Sequence, residues 1–352
     1  MSSIRIAGRE IGPEQPPYVI AEISANHRGS LAAAVELVHA AAESGADAVK
    51  LQHYTPDTST VRSDHPDFLV TGGTLWDGRQ LADLYAEAMT PWEWTDDLAA
   101  AAVDAGITWF STPFDTTAAD FLVRYDVPAF KIASFEIVDL PLIRDVAGLG
   151  KPMIVSTGMA SLQEIDAAVD AAGDAETAIL RCNSGYPARP DEMDLRAIPM
   201  MRDRWNRPIG LSDHTLGSTA AIAAVALGAC IVEKHLTLRR SDGGPDSAFS
   251  AEPYELSELV AALRDAHAAL GEARFGPSER ELANVAFRRS LRAARPIAAG
   301  TTITADDVRS MRPAGGLAPD DLDLVLGATA HTDLAVGDPI TWDVLVPIGD
   351  RR

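Results

Sequence analysis

The sequence is poor in positive charge, and almost all of the positive charge it has comes from arginine. Asp and Glu total 51 against 30 Lys and Arg, which gives a formal net charge of −21. Phosphate backbones and anionic membranes select basic surfaces, so this balance argues against nucleic acid or a membrane as the main partner. A small anionic substrate remains compatible, because it responds to local charge. The few lysines are candidates for compact point charges at a site: Lys50, Lys131, Lys151 and Lys234.

Cysteine and long apolar runs are also scarce. Cys182 and Cys230 cannot form a disulfide framework, and both lie in apolar runs, so we expect buried thiols. No run approaches the roughly 20 apolar residues that a membrane-spanning helix needs. The opening residues, MSSIRIAGRE, lack the basic and apolar segments of a secretion signal. We therefore expect a folded, soluble protein of the cytoplasm.

Short apolar runs alternate with Ala-rich segments of helical period over most of the chain. Eight strands alternating with helices over about 250 residues predict an α/β fold of the (β/α)8 TIM barrel type. A doubly wound open sheet is the alternative, but no GxGxxG fingerprint follows the first strand. The strand candidates are 18–23, 47–52, 107–112, 128–134, 152–157, 178–184, 208–214 and 230–235.

Each strand candidate is apolar at its start and polar at its C-terminal end. A single polar strand end would more simply cap the following helix. In a barrel, however, the C-terminal strand ends converge on the active site, so polar residues at every end predict such a site. These residues are Glu22, Lys50, Gln52, Ser111, Thr112, Lys131, Ser134, Ser156, Ser184, Asp213, His214, Glu233 and His235.

Three segments fall outside the repeat. Residues 4–17 predict a hairpin over the N-terminal mouth of the barrel. The interval 52–107 is longer than a helix needs, and its turn formers and aromatic residues predict a loop that covers the substrate. Near the end, the similar phrases PIAAGTTITADDV and DLAVGDPITWDVL predict a small separate domain. We expect a catalytic barrel over 1–271, a linker over 272–287 and the small domain over 288–352.

Nine motifs occur in order at these strand ends and beyond: AEISANHRGS, VKLQHYTPDT, STPFD, FKIASFE, STGMA, CNSGYP, GLSDHT, VEKHLTL and MRPAGG. Through them the chain resembles the bacterial sialic acid synthase family over almost its whole length, and within it the pseudaminic acid synthase branch. The resemblance implies a barrel followed by an antifreeze-like (SAF) domain. It also implies that phosphoenolpyruvate condenses with the open-chain aldehyde of an amino sugar and that phosphate is released. A divalent metal is expected, Mn²⁺ first, with Mg²⁺ or Co²⁺ as alternatives.

This chemistry needs a Lewis acid at the aldehyde, cationic and hydroxyl groups for the anion, and a base for the attacking water. His214 and His235 end neighbouring strands, a spacing that fits a metal with open positions. The candidate catalytic carboxylates are Glu22, Glu136 and Glu233, with Glu136 assigned to the water. The candidate phosphoenolpyruvate ligands are Lys50, Thr112, Lys131, Ser134, Ser156, Ser184 and Ser212. Ser184 departs from the asparagine that N-acetylneuraminate synthases carry there.

Four further residues match family positions that hold the sugar: Gln52, Tyr186, Asp246 and Arg312. The family places the last of these in the active site of the partner subunit, which implies a domain-swapped homodimer. The expected sugar is 2,4-diacetamido-2,4,6-trideoxy-L-altrose, whose methyl groups suit an aromatic wall. Candidate wall residues in the long interval are Trp76, Tyr85, Trp92 and Trp94, although two of the three tryptophans are expected only to pack the loop against the barrel.

Other functions remain open at this point. An N-acetylneuraminate or legionaminate synthase would share the same motifs. A Schiff-base aldolase would use Lys131 as its nucleophile, since such a lysine can end a barrel strand. A non-catalytic ice- or carbohydrate-binding protein would leave the polar strand ends unexplained.

Overall fold

The computed structural model describes residues 3–346. The chain divides into two compact units, Met1–Gly271 and Glu272–Arg352. The first unit opens with an antiparallel hairpin of β1 (Ile4–Ile6) and β2 (Arg9–Ile11). The backbone N–H of Arg5 donates to Glu176 and the Arg9 guanidinium pairs with Asp47, acidic residues that lie just before barrel strands. The hairpin thus lies at the N-terminal ends of the strands, as its sequence predicts.

Within the described residues, eight parallel strands form a closed barrel, which confirms the predicted fold class. The strands are β3 (Tyr18–Glu22), β4 (Ala48–His53), β5 (Thr108–Pro113), β6 (Phe130–Ile132), β7 (Met153–Ser156), β8 (Thr177–Cys182), β9 (Ile209–Asp213) and β10 (Ile231–His235). The last strand, β10, pairs with both β3 and β9. All eight C-terminal ends therefore meet at one mouth.

Helices connect the strands and cover the barrel. Their ends carry ordinary signals: Ser161 and Glu164 form a capping box at one N-terminus, and Gly106 ends another helix in the left-handed region, at a φ of 66°. The helices are α1 (Leu31–Glu43), α2 (Pro56–Ser59), α3 (Leu81–Ala88), α4 (Thr95–Ala105), α5 (Thr116–Val123), α6 (Leu140–Gly148), α7 (Leu162–Ala172), α8 (Ala197–Trp205), α9 (Thr219–Ala226) and α10 (Pro253–Leu270). No helix within residues 3–346 is long and apolar enough to cross a bilayer.

The long interval between β4 and β5 folds as an insertion that is tied to the barrel wall. His53 bonds Ser111 through Nδ1 at 2.7 Å and Thr95 through Nε2 at 2.9 Å. The indole of Trp92 donates to the backbone of Tyr54 at 3.2 Å. These contacts join the start of α4 to two neighbouring strands and fix the base of the insertion.

The second unit has its own small core, formed by residues such as Leu291, Val325 and Ile340. Two antiparallel pairs surround it: β11 (Ser290–Ala293) with β12 (Val308–Met311), and β13 (Thr329–Ala330) with β14 (Leu345–Val346). A short helix, α11 (Leu322–Val325), precedes β13.

Candidate active site

Strand alternation decides which polar strand-end residues face the barrel interior. Lys50 points inward, and Gln52 lies two residues further on the same side of β4. Ser111 instead faces outward, where it bonds His53. Asp213 also faces outward and pairs with Lys234 at 2.8 Å. Two of the polar residues predicted at strand ends, Ser111 and Asp213, therefore do not face the interior.

Lysines and carboxylates form a buried ionic network inside the barrel mouth. Lys50 Nζ lies 2.8 Å from Glu22 Oε2 and 3.1 Å from Glu233 Oε1. Burial alone would lower the pKa of Lys50, but these two carboxylates raise it above its ordinary value. Lys131 Nζ lies 3.9 Å from Glu233 Oε1 and donates to Ser156 Oγ at 2.6 Å. Burial dominates there and lowers the pKa of Lys131 to about 8.

Hydroxyl groups line the same region. Ser212 donates to Glu233 Oε1 at 3.4 Å, and Ser134 Oγ accepts the backbone N–H of Gly158 at 3.1 Å. A Cβ atom added at Gly158 would lie 2.1 Å from Ser184 Oγ, which shows how closely that serine approaches. Of the predicted phosphoenolpyruvate ligands, Ser156 and Ser212 thus contact the ionic network of Lys50 and Lys131, and Ser134 and Ser184 meet at Gly158, two residues after Ser156. Thr112 Oγ1 is buried without a hydrogen-bond partner among the described residues.

The histidine pair lies at the ends of β9 and β10. The ring centroids of His214 and His235 are 5.3 Å apart. His214 Nδ1 lies 2.8 Å from the carbonyl oxygen of Asn183, so this nitrogen carries a proton, and Nε2 is the nitrogen that could bind a metal when the ring is neutral. His235 Nδ1 lies 3.6 Å from Asp246 Oδ2, beyond hydrogen-bond distance. Burial and nearby cations hold the pKa of His235 well below its ordinary value, so that imidazole is neutral.

These two imidazoles fit a metal ion that keeps open positions. A metal ligand must be a neutral imidazole, and the buried His235 Nδ1 has no hydrogen-bond partner in the described structure. No group of three or more His, Cys, Asp or Glu side chains within residues 3–346 is arranged to hold a metal. Water and substrate oxygens would therefore complete the coordination, as in catalytic metal sites.

Aromatic rings surround the histidines. The Tyr186 ring lies 4.4 Å from that of His214, and Phe249 lies 5.0 Å from His235. Trp76, from the outer part of the insertion, contacts Tyr186 at 5.4 Å. Its indole N–H donates to the carbonyl of Pro245, the residue before Asp246, at 3.0 Å. Trp76 thus connects the insertion to the aromatic side of the site.

Several buried polar atoms at this mouth have no hydrogen-bond partner in the part of the chain that the structure describes. Folded proteins satisfy nearly all buried polar groups, so a cluster of such atoms indicates groups that await a ligand. Burial also raises the pKa of Glu136, at the start of the 3-10 helix Glu136–Val138, to about 7. The unpartnered atoms include Thr112 Oγ1, Glu136 Oε2, Glu233 Oε2 and His235 Nδ1.

Arg312 lies in the second unit, just after β12. It lines an open cavity of about 490 Å³ together with Asn284, Phe287, Arg288 and Arg289. Its predicted role in the active site of a partner subunit stays a prediction.

Sequence reasoning missed some residues that build the site. Gly158 brings Ser134 and Ser184 together, and the Asn183 carbonyl orients His214. Phe249 packs between Tyr186 and His235. The motifs STGMA and CNSGYP contain the first two, so a search for backbone donors and close approaches within those motifs could have found them.

Comparison with known proteins identifies the family. Residues 37–275 match the model of the NeuB family, and residues 288–346 match the SAF domain. A pseudaminic acid synthase of Campylobacter jejuni is 41% identical over 92% of this chain and 95% of its own length. An N,N'-diacetyllegionaminic acid synthase of Legionella pneumophila is 35% identical over 94% of this chain and 95% of its own.

Among solved structures, the N-acetylneuraminic acid (sialic acid) synthetase of Leptospira borgpetersenii superposes with a TM-score of 0.72 at 31% identity. The match covers 81% of this chain and 95% of that one. The resemblance inferred from the nine motifs is confirmed: the chain belongs to the NeuB family, with a SAF domain after its barrel.

Proposed function

We propose that this protein acts as a pseudaminic acid synthase. It condenses phosphoenolpyruvate with 2,4-diacetamido-2,4,6-trideoxy-L-altrose and water, giving pseudaminate and phosphate. The observation that carries the proposal is the cluster of buried lysines, carboxylates and imidazoles with unpartnered atoms at the barrel mouth. The 41% identity to a pseudaminic acid synthase supports the choice of sugar.

In this reaction C3 of phosphoenolpyruvate attacks the aldehyde carbon, water adds at C2, and phosphate leaves as its C–O bond breaks. Lys50 and Lys131 supply positive charge for the phosphate and carboxylate groups. In the free protein both ammonium groups face Glu233, so phosphoenolpyruvate competes with that carboxylate for them. The hydroxyl donors to the anion are Thr112, Ser134, Ser156, Ser184 and Ser212.

The water needs a base, and Glu136 is assigned this role. Its pKa of about 7 allows it to accept a proton near neutral pH and to release it again. Glu22 and Glu233 hold the Lys50 ammonium. Glu22 is also proposed to contact the sugar, because it matches a family position that does so. The sugar is held by Gln52, Tyr186 and Asp246, and by Arg312 of a second copy in a domain-swapped homodimer.

His214 and His235 are proposed to hold a divalent cation, Mn²⁺ first, with Mg²⁺ or Co²⁺ as alternatives. When bound, this cation supplies Lewis acidity toward the aldehyde oxygen. Chelation is expected to abolish condensation and added Mn²⁺ to restore it. The protein is proposed to work in the cytoplasm.

Phosphate release, measured with each candidate sugar in turn, tests the proposal. We expect turnover with 2,4-diacetamido-2,4,6-trideoxy-L-altrose and little with N-acetylmannosamine, because an aromatic, apolar wall suits the methyl groups of the trideoxy sugar. A site that hydrogen-bonds a 6-hydroxyl would instead reject this deoxy sugar. Preference for N-acetylmannosamine or for the legionaminate precursor would assign the protein to that neighbouring branch. A borohydride-trapped adduct on Lys131 would instead support the Schiff-base aldolase.

A further inference from the structure

Lys234, a buried lysine that the proposed reaction does not use, lies on the outer face of the barrel wall. It precedes His235 in β10, and strand alternation turns the two side chains in opposite directions. Its ammonium group meets three oxygens: Asp213 Oδ2 at 2.8 Å, the carbonyl of Thr215, and the carbonyl of Gly217 at 3.2 Å. An ammonium group has three N–H donors, so every donor is matched.

Two of these oxygens flank His214 in the sequence. Asp213 comes directly before it and Thr215 directly after it, and Asp213 Oδ1 accepts the Thr215 N–H at 2.9 Å. Strands β9 and β10 pair with Lys234 opposite Asp213. Each member of this buried ion pair therefore lies one residue before one of the two histidines, and the pair fixes both backbones from which the imidazoles project.

We infer that Asp213 and Lys234 form a positioning pair that holds His214 and His235 at the separation a divalent cation requires; the inference rests on the metal site of the proposed function. This role also explains why position 234 is a lysine in a chain that otherwise uses mostly arginine. A single ammonium nitrogen reaches all three oxygens here, whereas arginine distributes its donors over a planar fork. Groups that orient metal ligands from outside typically change metal affinity by about 10–100-fold.

Mn²⁺ affinity of the full-length protein tests this role, followed through the electron paramagnetic resonance signal of free Mn²⁺. The double variant Asp213→Asn/Lys234→Met removes both charges, so that neither is left buried alone. We expect it to bind Mn²⁺ about 10-fold more weakly or worse, with unchanged phosphoenolpyruvate affinity in metal-free buffer, measured by tryptophan fluorescence. Lys151→Met, which removes a half-buried lysine 2.5 Å from Asp126, is the matched control and should bind Mn²⁺ as the wild type does.

Lys234→Arg keeps the positive charge but alters the three hydrogen bonds of the Lys234 ammonium. This variant tests the inference if circular dichroism shows that the double variant does not fold. It too is expected to bind Mn²⁺ more weakly. A folded variant with wild-type Mn²⁺ affinity would overturn the inference, and so would equal losses of Mn²⁺ and phosphoenolpyruvate affinity. Wild-type protein that binds no Mn²⁺ would refute the proposed metal site itself, and the inference with it.

Discussion

The backbone N–H of Gly158 donates a hydrogen bond of 3.1 Å to Ser134 Oγ. A Cβ atom at position 158 would lie 2.8 Å from that oxygen and 2.1 Å from Ser184 Oγ. Both distances are shorter than real side-chain contacts allow. The absence of a side chain at this one position therefore lets two proposed phosphoenolpyruvate ligands come together.

Gly158→Ala is expected to push Ser134 and Ser184 apart. The KM for phosphoenolpyruvate should rise about 10-fold or more, the loss of at least one hydrogen bond to a charged ligand, while the KM for the sugar changes little. Phosphate release at varied phosphoenolpyruvate concentration measures this. Gly148→Ala is the matched control, since its Cβ would meet nothing within 4 Å. An unchanged KM in Gly158→Ala would show that the serines do not bind the anion.

The barrel and much of its site could be predicted because both follow from strand period and strand ends. His214 and His235 end neighbouring strands, so their approach to a ring separation of 5.3 Å follows from the topology. The sequence could not show that Ser111 and Asp213 face outward, because a one-residue difference in where a strand ends reverses the side-chain direction. Assigning these two side chains to the outer face required the observed register of the barrel strands.

The packing of the insertion between β4 and β5 could not be predicted from hydrophobic periodicity. Its tryptophans look equivalent in the sequence, yet Trp92 packs on Phe121 at 4.6 Å and Trp94 on His27 at 5.3 Å. Only Trp76 of the three contacts the Tyr186 ring, in the part of the chain that the structure describes. Which aromatic residue reaches the site depends on long-range packing of an irregular segment, and local patterns carry no information about it.

His53 makes the stability of the protein depend on pH. Burial lowers its pKa from 6.5 to about 4, and both ring nitrogens are hydrogen-bonded. The unfolded chain therefore binds a proton first as the pH falls, so stability is lost between pH 6.5 and 4, by about 3 kcal/mol from this residue. Urea unfolding at several pH values should show a smaller loss over this window in His53→Gln. Equal pH dependence in both proteins would contradict this assignment.

Glu136 should set the acidic limb of the rate profile. Its pKa is raised to about 7, so below that pH the carboxyl is protonated and cannot accept the proton of water. Activity should rise with pH through about 7, and Glu136→Gln should lower kcat by about 10²–10⁴-fold and remove this limb. Glu164→Gln, at an exposed capping box on α7, serves as the control. Retention of the limb in Glu136→Gln would assign it to another group.

Substitution of Arg312 tests the proposed domain-swapped homodimer, in which this residue acts in the active site of the partner subunit. Arg312→Ala and Lys131→Ala are each expected to be inactive as homodimers, because each lacks one part of every site. Mixed chains should regain some phosphate release, since one site in a heterodimer keeps both residues. Native mass spectrometry confirms that heterodimers form. Heterodimers without activity would show that Arg312 does not act in the partner's site.

Trp76 is expected to govern the choice of sugar. Its ring contacts Tyr186, and its N–H holds the loop that carries Asp246, so it joins the insertion to the sugar side of the site. Trp76→Ala removes an apolar wall beside Tyr186, and such a loss is worth about 10-fold or more in binding. The KM for the trideoxy sugar should rise by that factor, while the KM for phosphoenolpyruvate stays constant. Trp76→Phe keeps a ring and should show a smaller rise, measured by phosphate release at varied sugar concentration. An unchanged KM for the sugar in Trp76→Ala would give Trp76 the same packing role as Trp92 and Trp94, and the specificity would then have to come from the barrel loops alone.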